Sequence, residues 1–290
     1  MRVIVYSKNC KEKNRPYYQQ LFDALKAKAI QYCVYTEIAQ KLPDTVEGIT
    51  VINNHEDLAD YKPNIMITLG GDGTILSATN LIKGLSIPIL GINLGRLGFL
   101  ANIEQGRIDA AVDQLIAGEY VEHDRFMLEL ITDNNLFGTQ NFALNDFTLV
   151  KRDHAAMIII HTYIDDEFLV SYWADGLIVS TPTGSTAYSL SCGGPIMFPS
   201  SENFILTPVA PHNLNLRPVV ISSNHKIRFE IEGRSDTYLC TLDNRNEIIT
   251  AEQKIEIQKH NMSAKFITLN GDSYMRTIRN KLNWGLDKRN

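Results

Sequence analysis

The chain has 290 residues, 33 acidic against 28 basic, giving a formal charge of −5 and a pI near 5.8. That balance excludes nucleic acid as the main partner, because a phosphate backbone needs a basic face and no block of Lys or Arg supplies one. No stretch reaches the ~18 charge-free apolar residues of a membrane span, and the N-terminal run lacks a signal-peptide core, so no membrane contact and a cytoplasmic location are expected.

In chain order, strand-like runs at 3–7, 32–35, 65–69 and 88–93 alternate with helical patterns at 16–29, 74–83 and 108–117. That alternation predicts a mostly parallel sheet covered by helices. From about Glu122 the texture changes to short runs rich in Ile, Val, Phe, Tyr and Thr, at 126–132, 140–150, 157–164, 167–172, 177–180, 226–232 and 238–242. Polar turns such as Asp165-Asp166 separate them, the pattern of an antiparallel β domain. Late strands are expected at 254–258 and 265–269, and a helical pattern at 273–284 has no evident place. The expected fold class is α/β + β. A Rossmann-like α/β domain over 1–122 precedes a β-sandwich-like domain over 123–270, with a cleft between them and an unplaced tail over 271–290.

Two segments carry chemistry. Residues 64–76 read Asn-Ile-Met-Ile-Thr-Leu-Gly-Gly-Asp-Gly-Thr-Ile-Leu. An apolar strand runs into Gly70, Gly71 and Gly73, and Thr74 starts a helix. Free N–H groups at such a turn suit phosphate. Asp72 is the unusual member, since a carboxylate there repels anions but can accept a proton from an attacking hydroxyl or hold a metal. Its plain alternative is a helix N-terminal aspartate. The second segment, 175–195, packs Ser180, Thr181, Thr183, Gly184, Ser185, Thr186 and Tyr188 into one turn, a density that fits hydrogen bonding to a polar ligand. Between them, Asn145-Asp146 interrupts an apolar run where a turn pair would end it.

The remaining candidates are weaker. Histidines 55, 123, 154, 161, 212, 225 and 260 show no metal-ligand spacing, and Cys10, Cys33, Cys192 and Cys240 form no C-x-x-C pair. Tyr188 reads equally as a packed aromatic or a ligand contact, and Arg96 as a phosphate contact or a surface charge.

Gly-Gly-Asp-Gly-Thr (70–74), Leu-Asn-Asp (144–146), the 175–188 segment and Gly-Gly-Pro (193–195) together resemble the NAD kinase family, in that order. The stretches 91–100 and 207–218 add to the resemblance, which spans roughly 3–257. The glycine element alone is shared with diacylglycerol and sphingosine kinases, whereas Pro-Thr-Gly-Ser-Thr-Ala-Tyr is far more specific. The resemblance implies phosphorylation of the adenosine-ribose 2′-hydroxyl of NAD by ATP, with a divalent ion, Mg²⁺ by expectation, whose protein ligands are unknown. It assigns Asp72 as general base, with Gly70, Gly71, Gly73 and Thr74 as the phosphate loop. NAD contacts fall on Asp72, Gly73, Asn145, Asp146, Asp175, Thr186, Ala187, Tyr188, Ser189, Leu190 and Ser191, with Phe99 and Arg245 as further ligand contacts. It also implies a homodimer or homotetramer.

Two departures stand out: Arg245 follows Asp243 where many bacterial relatives carry Gln, and Trp173 precedes Asp175 where some carry a basic residue. A lipid kinase would share only the glycine loop, and a non-catalytic NAD(H) sensor would have no need of Asp72.

Overall fold

The strand Arg2–Tyr6 buries Val3, Ile4, Val5 and Tyr6 on both faces, as a central strand of a helix-covered parallel sheet must. The computed structural model describes residues 1–8, 10–152 and 157–285, so His154, one of the histidines read for metal spacing, lies outside the described residues. The chain forms two compact units, one of residues 1–124 together with the segment from Lys265 onward, the other Arg125–Ala264.

In the first unit, Arg2–Tyr6 pairs in parallel with Gln31–Tyr35 on one side and Ile65–Leu69 on the other. Thr50–Ile52 and Ile89–Asn93 extend the sheet outward, and Phe266 pairs with Ile89 beyond them. The helix Arg15–Ala27 starts at a proline and turns Tyr18, Leu21, Phe22 and Leu25 inward, the helical spacing of one buried stripe. Ile108–Ala117 does the same with Ile108, Ala111, Val112 and Leu115 before Gly118 stops it in the left-handed region at φ 70°. Both helices pack into one core with Val3, Val5, Ile65, Ile67, Leu90 and Ile92.

The second unit is antiparallel. One sheet runs Val219–Ser222, Asn203–Val209, Gly176–Ser180, Asp146–Lys151, Tyr238–Leu242, Arg245–Ile249 in spatial order. Across from it stand Glu167–Ala174, Ile158–Ile164, Ile227–Gly233 and the start of Ile255–Leu269. Phe147, Leu149, Leu177 and Phe204 from the first set meet Ile158, Ile160, Phe229 and Ile257 from the second, with the rings of Phe147 and Phe229 stacked 5.8 Å apart. The expected order of an α/β domain followed by a β-sandwich-like domain is what the chain adopts.

The differences are local. The strands expected at 254–258 and 265–269 are one, Ile255–Leu269, and from Lys265 onward the chain clusters with the first unit, so 265–270 and the tail helix Tyr274–Leu282 lie there. Ile267 and Leu269 complete that unit's core, which explains their apolar character. Asn203–Val209 is a central strand that Pro208 disguised, since proline ordinarily marks an edge. Helices Thr36–Lys41 and His55–Tyr61 are too short to show a periodic stripe.

If the late segment is integral to the first unit, Ile267→Ala should lower global stability by about 2–5 kcal/mol, the usual range for emptying a buried isoleucine. A urea titration monitored by fluorescence measures it, and a loss within error would mean that the segment only rests on a unit already complete.

Candidate active site

The predicted site residues fall into two groups, one in each unit. In the first unit, Leu69 ends its strand and Gly70 turns the chain, its N–H donating to the Ile92 carbonyl at 3.0 Å. A side chain on Gly70 would sit 2.1 Å from Thr74 Oγ1, so only glycine lets the strand run into the helix Asp72–Ile82. Gly71 and Gly73 differ: they are exposed, and a Cβ on either would meet nothing within 4 Å. The turn is therefore open around these two residues, so a ligand could come close to the backbone there.

Asp72, the first residue of that helix, folds its carboxylate onto the loop after Asn93. Phe99 N–H donates to Oδ2 at 2.9 Å, while Leu100 and Ala101 donate to Oδ1 at 3.1 and 2.9 Å. A carboxylate offers about four lone-pair positions. Oδ1 has filled both of its own and Oδ2 keeps one free. The loop approaches so closely that a Cβ on Gly98 would lie 2.0 Å from Asp72 Oδ1. Asn93 Oδ1 accepts from Gly95 N–H at 2.7 Å, and Lys281 of the tail helix donates to the Leu97 carbonyl. Phe99 is half-buried and Arg96 exposed. A pocket of about 450 Å³ opens beside this loop, lined by Tyr17, Gln20, Asn93, Leu97, Glu104 and Gln105 among others. Glu104 is the one charged group on its wall, which unsuits it for phosphate.

In the second unit, Leu144 and Asn145 form a corner between Phe142–Ala143 and Asp146–Lys151. The corner's backbone N–H groups converge on Asp243: Leu144 on Oδ2 at 2.9 Å, Asn145 and Asp146 on Oδ1 at 2.8 and 3.2 Å. Its carbonyls are held from the other side. Thr181 Oγ1 donates to Leu144 O at 2.6 Å and Thr181 N–H to Asn145 O at 2.9 Å. Gly184 lies so close that a Cβ would meet Asn145 O at 2.1 Å. Asn145 Oδ1 is enclosed and has no hydrogen-bond partner, an acceptor held ready for a donor. Asp146 is 6% exposed, and burial, reinforced by the charge of Asp243, pushes its carboxyl up to about 7 while Thr148 Oγ1 partly offsets the shift.

The hydroxyl-rich segment is used differently from its sequence reading. Ser180, Thr181, Ser185 and Ser189 are buried, and their hydroxyls bond within the protein. Ser185 Oγ donates to the Pro182 carbonyl at 2.7 Å and accepts from Met197 N–H at 3.0 Å, while Ser189 pairs with Thr207 Oγ1 at 2.8 Å. Past the strand Gly176–Ser180 the chain makes only the short helical turns Gly184–Thr186 and Tyr188–Ser191, which leave much of the backbone without a continuous ladder, and short hydroxyl side chains take that part. Thr186, Ala187 and Leu190 are half-buried, the Thr186 hydroxyl donating to the Thr183 carbonyl at 3.3 Å, and Tyr188 and Ser191 are exposed.

Asp175 is paired with Lys151 at 2.6 Å beside its strand. Arg245 directs its guanidinium to the carbonyls of Gln140 and Phe142 and lies over the rings of Phe142 and Phe137, so it would have to release both carbonyls to reach a phosphate. Sequence reasoning gave no role to Asp243 or Gly98, and it read Thr181 as part of a ligand-bonding cluster where the structure has it hold Leu144 O. Only the Leu-Asp step before Arg245 pointed toward Asp243.

Two outcomes follow from this geometry. Gly98→Ala should displace the loop from Asp72 and lower the melting temperature by several degrees, on the order of a 1–3 kcal/mol overpacking loss; an unchanged melting curve would show that the loop yields freely. For Asp146, the folded carboxyl titrates near 7 against 3.8 for the ordinary group. The folded state thus holds a proton that the unfolded chain releases, and stability falls as pH rises between those values. Asp146→Asn should flatten that slope, read as urea midpoints at about pH 5 and about pH 8.

The sequence matches the family model for the ATP-NAD kinase N-terminal domain over 3–120 and the one for the C-terminal domain over 144–269. It is 48% identical over 284 residues to the NAD kinase of Cytophaga hutchinsonii, covering 97% of each chain, and 39% identical over 297 residues to that of Flavobacterium psychrophilum, covering 100% of each. Among solved structures, an NAD kinase from Archaeoglobus fulgidus in complex with ATP superimposes with a TM-score of 0.73 at 25% identity over 98% of this chain and 99% of that one. Yeast NADH kinase complexed with NADH gives 0.86 at 23% identity over 100% and 89%, a likeness of fold. Matched in both halves and along its whole length, the chain belongs to the NAD kinase family of enzymes.

Proposed function

We propose that this enzyme transfers the γ-phosphoryl group of ATP to the 2′-hydroxyl of the adenosine ribose of NAD, giving NADP, with Asp72 as the proton acceptor. The observation that carries the residue assignment is the free lone pair on Asp72 Oδ2, in a carboxylate otherwise immobilised by Phe99, Leu100 and Ala101 beside the open backbone of Gly71 and Gly73. A ribose hydroxyl is a weak nucleophile, so orientation in line with the phosphorus supplies much of the acceleration. Asp72 takes the hydroxyl proton as the new P–O bond forms and the bond to ADP breaks, a contribution of about 10²–10⁴ in rate.

Asn145 offers its unpartnered Oδ1 to an adenine amino group, Asp146 and Asp175 serve the nicotinamide-side ribose and amide end, and Thr186–Ser191 line the adenosine with their outward groups. Ser189 contributes through its backbone, its hydroxyl being bonded to Thr207. Phe99 is a packing contact to the ligand. Gly70, Gly71, Gly73 and Thr74 form the phosphate turn.

No group of three or more His, Cys, Asp or Glu among the described residues could hold a metal by itself. Mg²⁺ binds largely through substrate phosphates and would be carried here with the triphosphate, leaving the free lone pair of Asp72 to the hydroxyl proton. When bound, the ion would spread the charge developing on the triphosphate.

We also infer a cytoplasmic homodimer or homotetramer. Four free cysteines, three of them buried, fit a reducing compartment, and no helix among the described residues is long and apolar enough to cross a membrane. Exposed Phe168, Trp173, Phe198, Leu214 and Val220 on the second unit supply apolar surface for a second copy.

Incubation with NAD, ATP and Mg²⁺, read by an NADP-specific dehydrogenase, tests the reaction. Asp72→Asn should lower kcat at least about 10²-fold while NAD still binds. Near-wild-type turnover in that variant would reduce Asp72 to a clamp for the 98–101 loop, and NAD binding without NADP formation in the wild type would favour a sensor.

A further inference from the structure

Asn145 and Asp146 sit where the backbone leaves one strand and enters the next, and nothing in their own segment fixes its course. Asp243 does so from another turn. It lies between Tyr238–Leu242 and Arg245–Ile249 at φ 52°, a left-handed conformation that folds its side chain back over the corner. Its own N–H donates to Asp146 O at 3.0 Å, while its carboxylate collects the N–H groups of Leu144, Asn145 and Asp146. Residues 144, 145 and 146 thus have every backbone N–H directed at one side chain. Although Asp243 as a residue keeps partial exposure, burial around its carboxylate pushes its pKa up, against the pull of those three N–H groups and of Arg245. Such a group carries a desolvation penalty, which the three charge-assisted bonds offset in part. Bonds of that kind are worth more than neutral ones, so the corner is held more firmly than a loop usually is.

We propose that Asp243 is a positioning residue for dinucleotide binding: its carboxylate fixes the 144–146 backbone and thereby aims the side chains of Asn145 and Asp146. The inference rests on the NAD kinase reading and on their roles given there. Asp243 does not touch the ligand in this scheme. It acts through the backbone, and through its charge on Asp146. The other groups that face Asp146 are Thr148 Oγ1, the Tyr188 phenol and the Cys192 thiol, with Arg245 acting on Asp243.

Asp243→Asn keeps the size of the side chain but turns an amide NH₂ toward one of the three donors and removes the charge. KM for NAD should rise about 10- to 100-fold, the worth of one or two charge-assisted bonds, while kcat changes little. The limb of the KM–pH profile set by Asp146 should move to lower pH, because a negative neighbour has gone. A merely structural role would lower active-enzyme yield and leave that limb in place. Thr181→Val, which removes the bond to Leu144 O from the opposite side, should raise KM in the same way with kcat retained.

In a folded Asp243→Asn, an unchanged KM and an unmoved limb overturn the proposal. Should that variant not fold, Thr181→Val decides, and an unchanged KM there overturns it equally. Wild-type protein that forms no NADP removes the kinase reading and this inference together, whereas active wild type with unaffected variants removes the inference alone.

Discussion

A carboxylate that gathers successive backbone N–H groups is the interaction on which the functional parts of this molecule depend. Loops between strands leave their donors outside any ladder, and each unpaired buried N–H is costly. Asp72 meets this need for Phe99, Leu100 and Ala101, and Asp243 meets it for Leu144, Asn145 and Asp146. In each case one side chain from a distant part of the sequence replaces a strand's worth of hydrogen bonding. The two differ in what they leave over. Asp72 retains a lone pair at an open turn, so one residue can be both clamp and base. Asp243 has a neighbouring acid instead, and it shapes that acid's titration.

The same economy of donors and acceptors explains the hydroxyl-rich segment. Ser180, Thr181, Ser185 and Ser189 bond to carbonyls, an N–H group and the Thr207 hydroxyl, bracing the short helical turns Gly184–Thr186 and Tyr188–Ser191 that follow the strand Gly176–Ser180. Rigidity here serves recognition indirectly. What a ligand can meet is the outward side of Thr186, Tyr188 and Ser191, and its precision comes from the hydroxyls behind them.

Much of this was legible in the sequence. The switch from helical to alternating texture located the change of architecture, because parallel strands under helices and antiparallel sandwich strands bury different faces. Asp72 stood out because a carboxylate in a glycine turn is chemically odd, and Asn145-Asp146 because a polar pair broke an apolar run. What could not be read were partners far apart in the chain. Nothing near Phe99 announces that its N–H meets Asp72, and nothing near Asp243 announces Leu144. Density of hydroxyls, read as ligand contact, does not distinguish a side chain that faces outward from one that braces a turn. Likewise no strand was expected over Asn203–Val209, a segment buried on both faces that contains Pro208.

The segment from Lys265 onward has a consequence for how the protein comes into being. Arg125–Ala264 is contiguous, so it can close as soon as it leaves the ribosome, whereas the earlier residues 1–124 still lack Ile267 and Leu269 from their core. The part synthesised first therefore has the last residues of its core supplied from the end of the chain. Lys281, whose ammonium group holds the Leu97 carbonyl, arrives later still, so the loop that immobilises Asp72 is among the final pieces to lock. A chain that stopped before Lys265 would hold every residue of the β unit and yet lack Ile267, Leu269 and the Lys281 contact to the loop that meets Asp72.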